Sequence, residues 1–352
     1  MDPVSVHVAH IRHLAKPSAL EHFLSDRHGL GQEICRKLAR QVAPFLEQAL
    51  EFHDASMAAP LRVRPVFQYY SYLNLAVALV LIYQPTGWQE FRKHGVEDIT
   101  QNLRSISLSS PLIRARRGAV TLFHSIISTQ QLPKGRITLR DLLVPIPMVA
   151  SELEHAFGLR SLFLSVRGQA LIEGEGPSQA ARSCFTFQLL DSSKPVGAPG
   201  KARFPLKRIY DAMPDLKTQY RAQQRQGHSR TFQSVQKWTP GNKERADKFH
   251  NEMAFKFFNY GGQEGNPNRG LHFGWRVWPN SQLLPTLTAG ILLSFALSSL
   301  ARYRANILDR VEGSKIHLLF EIFANEADGF LIPAMRNLLY AETLYVHRAE
   351  LT

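Results

Sequence analysis

Residues 65–89 carry no charged side chain, and the first eighteen of them (PVFQYYSYLNLAVALVLI) are apolar on nearly every side of a helix. Such a helix has no face to give to water, so it must be packed all round or lie in lipid. A second uncharged run, residues 277–301, poses the same choice. Both runs contain polar residues (Gln68, Ser71, Asn74; Asn280, Ser281, Gln282), and prolines shorten their usable length. The mean hydropathy of the chain is −0.18, slightly polar. The expectation is therefore two buried core helices and no membrane, with residues 65–98 as the central strut.

At 352 residues the chain is long enough to bury a large core as one domain or two. Its 44% hydrophobic and 20% charged residues are those of a globular protein. Cys35 and Cys184 stand far apart without metal-ligand spacing, which fits a reducing cytosol and argues against structural zinc or a disulfide framework. The opening MDPVSVHVAHIRHLAKPS has no apolar signal core. Net charge is +13, and residues 181–250 hold fourteen Lys/Arg against five Asp/Glu, so the excess is concentrated in one stretch. That suits a polyanionic partner. The competing reading is a basic surface with no dedicated partner.

Along the chain, Gln32–His53 places Ile34, Leu38, Val42, Phe45, Leu46 and Leu50 at helical spacing, with Pro44 expected to kink or divide the helix. From Arg104 the texture turns to β-rich runs: RSISLSS, LIRARRGAVTLFHSIIS, SLFLSVRGQALIEG and SCFTFQLL. Residues 138–157 read as helical in their second half, 204–225 as a basic helix, and RTFQSVQKW and LHFGWRVWP as strands. Residues 284–309 and 315–348 form two C-terminal helices, the second with Leu318, Leu319, Ile322 and Phe323 in its apolar spacing. The fold class is α+β, helical N- and C-terminal parts packed together around a mixed, basic middle. One domain is expected over 1–352, with sub-regions 1–103, 104–278 and 279–352.

Three places carry a family resemblance. The strut has a YY-x2-LN-x-A-x-AL pattern followed by His94-Gly95, residues 294–308 read SFALSSLARYRANIL, and residues 330–340 read FLIPAMRNLLY. Together they resemble the YaaC-like family. The resemblance implies a cytosolic bacterial protein and supplies no activity.

Phosphate-loop, dinucleotide, nucleophile-elbow and zincin motifs are all missing, so no cofactor or metal is expected. His94 beside Glu97 and Asp98 could act as a base if one helical turn brought the three together; the alternative is a hydrogen-bonded structural imidazole. Arg117 with His124, and Arg245 with His250, have spacings that resemble the Arg-x4–6-His signature of HEPN-type ribonucleases, which would imply action on an RNA phosphodiester. The first pair falls in a segment read as strand, and the second has Ala246 where a polar residue usually follows the arginine. Arg230, Lys237, Trp238, Lys243, Arg245 and Lys248 interleave cations with aromatic residues, a composition suited to single-stranded nucleic acid. His272, Trp275, Arg276 and Trp278 could extend that surface. Glu321, Glu326 and Asp328 read as a solvated acidic face.

The leading expectation is a cytosolic protein binding RNA or single-stranded DNA through residues 201–260. An RNase-like hydrolase and a subunit docking on an acidic protein partner are the alternatives. Whether it is an enzyme is left open by the residues.

Overall fold

The computed structural model describes residues 3–28, 31–84, 93–128, 131–159, 163–172, 184–190, 214–226, 229–237, 258–260, 271–274 and 284–340. They group into two compact units, 1–160 with 283–340 and 161–282. The first unit therefore takes in residues 104–160, which the sequence groups with the middle.

In the first unit, α1 (Pro3–Leu14), α2 (Pro17–His28) and α3 (Gln32–Ala58) lead to α4 (Arg64–Tyr83). The chain then forms β1 (Val96–Asp98), β2 (Pro111–Ala115), α5 (Ala119–Ile127), β3 (Arg136–Thr138), α6 (Leu139–Leu143) and α7 (Ala150–Phe157). The three strands make an antiparallel sheet in the order β1-β2-β3. Of the segments expected to be strands, RSISLSS forms none, and LIRARRGAVTLFHSIIS gives β2 and then turns into α5. Gly118 separates the two, a residue that permits a sharp change of path.

The second unit holds β4 (Phe163–Ile172), β5 (Cys184–Leu190), a short α8 (Pro214–Gln219), β6 (Tyr220–Gln226), β7 (Ser229–Ser234), β8 (Phe258–Tyr260) and β9 (Leu271–Gly274). Its six strands run antiparallel in the order β6-β7-β5-β4-β9-β8. The expected basic helix over 204–225 is corrected here. Only 214–219 is helical among its described residues, and Tyr220 onward pairs with β7. Tertiary hydrogen bonding outweighs the weak helix propensity of that stretch.

The chain returns to the first unit as α9 (Thr286–Tyr303), α10 (Ala305–Val311) and α11 (Lys315–Tyr340). The single helix expected over 284–309 breaks at Arg304, where φ is −139°. Helix α3 instead continues through Pro44, and its buried stripe is Cys35, Leu38, Val42, Leu46, Ala49 and His53, with Ile34 exposed. Leu318 is also exposed.

Helices α4 and α9 are long and apolar enough to cross a membrane, yet 78% of the apolar 18-residue stretch of each is buried inside the structure. The polar residues of α4 show how. Gln68 Nε2 donates to Ala324 O in α11 (2.9 Å), Ser71 Oγ donates to Ala49 O in α3 (2.8 Å), and Tyr83 Oη donates to Leu338 O (2.8 Å). The buried donors of Gln68 and Ser71 thus meet acceptors on neighbouring helices, whereas Asn74 donates to Tyr70 O of its own helix. Gly290 of α9 lies so close to α11 that a Cβ there would stand 2.7 Å from Leu331.

At the centre is Asp328, which the sequence places on a solvated acidic face. It is 7% exposed. Tyr72 donates a short hydrogen bond to its Oδ1, and Ser56 Oγ donates to Oδ2 at 3.4 Å, with His53 Nδ1 3.7 Å from the same oxygen. One carboxylate thus joins α3, α4 and α11. The chain termini of this unit also meet: Arg336, 2% exposed in α11, donates to His10 Nδ1 from Nη2 at 2.8 Å, and its guanidinium lies 4.1 Å from the Tyr340 ring centre.

Two stability measurements follow from this core. Tyr72→Phe removes a donor from a buried carboxylate and is expected to cost about 1–3 kcal/mol in urea unfolding; a loss under about 0.5 kcal/mol would contradict the role given to that bond. His7, buried beside Arg336 and His10, has its pKa lowered from 6.5 to about 4, first by desolvation and then by those two neighbours. The folded protein therefore holds the proton less well than the unfolded chain. Stability is full above pH 6.5 and falls as pH drops toward 4, by up to about 3 kcal/mol. His7→Gln should flatten that part of the pH profile.

Candidate functional site

The site builds on a crossing of two glycines. Gly95 has φ of +81°, where a side chain is strained, and a Cβ on Gly118 would fall 2.4 Å from Lys93 O. Backbone therefore lies directly on backbone, a contact that only glycine allows. The crossing ties the 93–95 loop to the start of α5: Ala119 N donates to Lys93 O (3.0 Å), Val120 N to His94 O (3.1 Å) and Arg116 N to Gly95 O (2.8 Å). The first amides of α5 are thus satisfied by the loop, and His94 is held at a fixed place.

His94 keeps contact with solvent. Its ring meets Tyr69 edge-on at 5.8 Å and Tyr70 at 6.2 Å. Tyr70 stacks on Phe52 at 5.2 Å, and Tyr69 meets Phe295 at 5.2 Å. From α9, Arg302 Nη1 donates to Tyr70 Oη (3.1 Å) and Nε to Ser298 O (3.3 Å). The guanidinium lies 4.9 Å from the ring of Tyr303, itself 63% exposed, and 5.7 Å from that of Tyr70. Among the described residues no carboxylate stands within ion-pair distance of Arg302. Desolvation, and secondarily the Arg302 charge, hold the His94 pKa below its ordinary 6.5, so the imidazole is neutral at pH 7.

The carboxylates that the sequence sets beside His94 turn elsewhere. They lie on β1 and not on a helical turn, so Glu97 and Asp98 point to opposite sides. Glu97 Oε2 accepts from Arg116 Nε (2.8 Å) and Nη2 (2.7 Å), with Arg114 Nη1 at 3.7 Å. Asp98 Oδ1 accepts from Thr100 N (2.8 Å) and Oγ1 (2.7 Å), and its Oδ2 from Ser299 Oγ (2.6 Å). Both acids are structural, and the base-with-carboxylates reading is corrected accordingly.

Arg117 is exposed just ahead of α5, whereas His124 is 3% exposed within it, its Nδ1 3.0 Å from Thr288 Oγ1. Seven residues apart, one faces water and the other the core. Lys237 is exposed after β7. Arg230 lies on β7 opposite Leu189 of β5 and Arg225 of β6. Trp238, Lys243, Arg245, Lys248 and His250 lie outside the described residues, as do Trp275, Arg276 and Trp278. His272 is on β9 opposite Ser165 and Asn259. Among the described residues no group of His, Cys, Asp or Glu is placed to hold a metal.

Sequence reading missed Tyr70, Arg302 and Tyr303 as site residues. The only signals were the Leu-Ala-Arg-Tyr piece at 300–303 and, for Tyr70, the YY pair of the strut, and neither gives a hint that the two meet near the loop at 93–95. Histidine NMR titration checks the arrangement: His94 should titrate below 6.5. Arg302→Ala should move it upward only part of the way, because desolvation, the larger cause, remains. A midpoint at or above 6.5 in the unaltered protein would refute the geometry.

A family model described as YaaC-like protein matches residues 13–316. Neither the comparison with curated proteins nor that with solved structures gives a match. The match spans most of the chain, including the strut, the glycine crossing and the Arg302–Tyr303 pair, and the chain belongs to the YaaC-like protein family.

Proposed function

We propose that this protein binds single-stranded RNA or DNA in the cytosol, on the face formed by Tyr70, His94, Arg302 and Tyr303. The observation that carries the reading is Arg302, a cation set over two tyrosine rings with no carboxylate partner among the described residues. A guanidinium so placed offers donors to a phosphate, and the exposed Tyr303 ring offers a platform on which a base can stack. Lys93 and Arg117, on the two segments that cross at the glycines, add positive charge nearby. Within the second unit taken by itself, Arg221 and Lys237 are exposed cations in the region the sequence favours. The +13 net charge strengthens attraction at a distance.

A second reading, hydrolysis of a phosphodiester, rests on one feature. His94 is neutral at pH 7 and feels the charge of Arg302, the pairing of base and cation that such chemistry uses.

Binding of labelled single-stranded RNA, single-stranded DNA and duplex DNA, each scored for cleavage, separates these readings. Arg302→Ala should weaken single-strand binding and lower the salt slope by about one. Tyr303→Ala should cost about 1–3 kcal/mol with little change in slope. Probe cleavage lost in His94→Ala would establish the hydrolase instead. Absence of binding at low salt would sink both and point to an acidic protein partner.

A further inference from the structure

Away from the glycine crossing, a cleft of about 230 Å³ opens between the start of α4, the later part of α9, α10 and the first half of α11. We propose that it binds a small amphipathic organic cation, an amine carried on an aliphatic or aromatic body. The volume is below the roughly 300–1,000 Å³ of sites for drug-sized ligands, which limits the occupant to a small molecule. Leu61, Pro65, Leu297, Leu308, Phe320 and Ala324 supply an apolar lining.

The polar lining decides the sign of the ligand. It comprises Asp309, Glu312 and Glu321 with Arg62 and His317. Arg62 is paired: its Nη2 donates to Asp309 Oδ1 at 2.5 Å and to Ala305 O at 3.4 Å, so its charge is offset by that carboxylate. Glu321 stands 3.9 Å from His317 Nδ1, and Glu312 has no ion pair among the described residues. Three carboxylates face one guanidinium, inside a chain whose overall charge is strongly positive. Carboxylates at the mouth of an apolar wall, with Glu312 exposed and Glu321 half-buried, favour an ammonium group and repel a carboxylate. The body of the ligand would lie on Leu297, Leu308 and Phe320, with its amine toward Glu312 and Glu321.

Calorimetric or NMR titration of the full-length protein with hexylamine and phenethylamine tests this, alongside hexanoate, phenylacetate and hexanol as matched controls. The amines should bind saturably, and the carboxylates at least about tenfold more weakly. Glu312→Gln combined with Glu321→Gln should cost the amines about tenfold while leaving hexanol unchanged. These residues lie at the rim, so the variant tests charge without emptying the core; Ala324→Leu, which fills the cleft, should block every ligand. Equal binding of amines and carboxylates, amine binding indifferent to the double variant, or no saturation up to about 10 mM would overturn the assignment. Nucleic-acid binding by the double variant is a separate readout, so failure of one reading leaves the other standing.

Discussion

A helix without a polar face makes the rest of the first unit necessary. Helix α4 buries fifteen of its twenty residues, and it can do so because α3, α5, α9 and α11 close around it. The apolar side chains gain from leaving water whatever their partners. The polar ones do not, and each must find a specific atom. Gln68, Ser71 and Tyr72 find theirs on two different helices, so they fix the register in which those helices pack. Asp328 is the most demanding of these partners. A buried carboxylate is tolerated only when donors surround it, and here Tyr72 and Ser56 reach it from separate helices.

That rigid centre also explains where chemistry can sit. Tyr69 and Tyr70 occupy adjacent positions of the same helix, one fully buried and the other at the margin. The buried ring anchors on Phe295; the marginal one meets His94 and Arg302. The site therefore inherits its geometry from the core, and its loop is pinned by a second constraint, the close approach of Gly95 and Gly118. Two unrelated devices, an aromatic stack and a glycine crossing, hold one histidine and one arginine near each other.

The amine cleft is built from the same helices by different means. Where α9 ends and α10 begins, the break at Arg304 redirects the chain and leaves room beside α4 and α11. Its carboxylates give it a charge opposite to that of the tyrosine–arginine face. One helical scaffold thus presents two regions of contrasting electrostatics, and a strongly basic composition by itself gives no sign of the acidic one.

The α+β class, the buried strut, the helical ends and most strands of the six-stranded sheet could be read from residue pattern, because hydrophobic periodicity is a local property. Errors arose where local pattern was ambiguous or overruled. LIRARRGAVTLFHSIIS holds both a strand and a helix, Tyr220–Gln226 is drawn into a sheet by its neighbours, and Pro44 is absorbed without ending its helix. What only the tertiary structure decided is which distant side chains meet. Asp328 looks solvated in sequence because nothing local reveals that Tyr72, 256 positions away, will supply a donor. Arg302 and His94 become a pair only when α9 packs against α4. Composition determined that this chain must bury a long apolar helix; long-range packing determined which polar groups that burial would bring together, since contact energies depend on distance in space and not on separation along the chain.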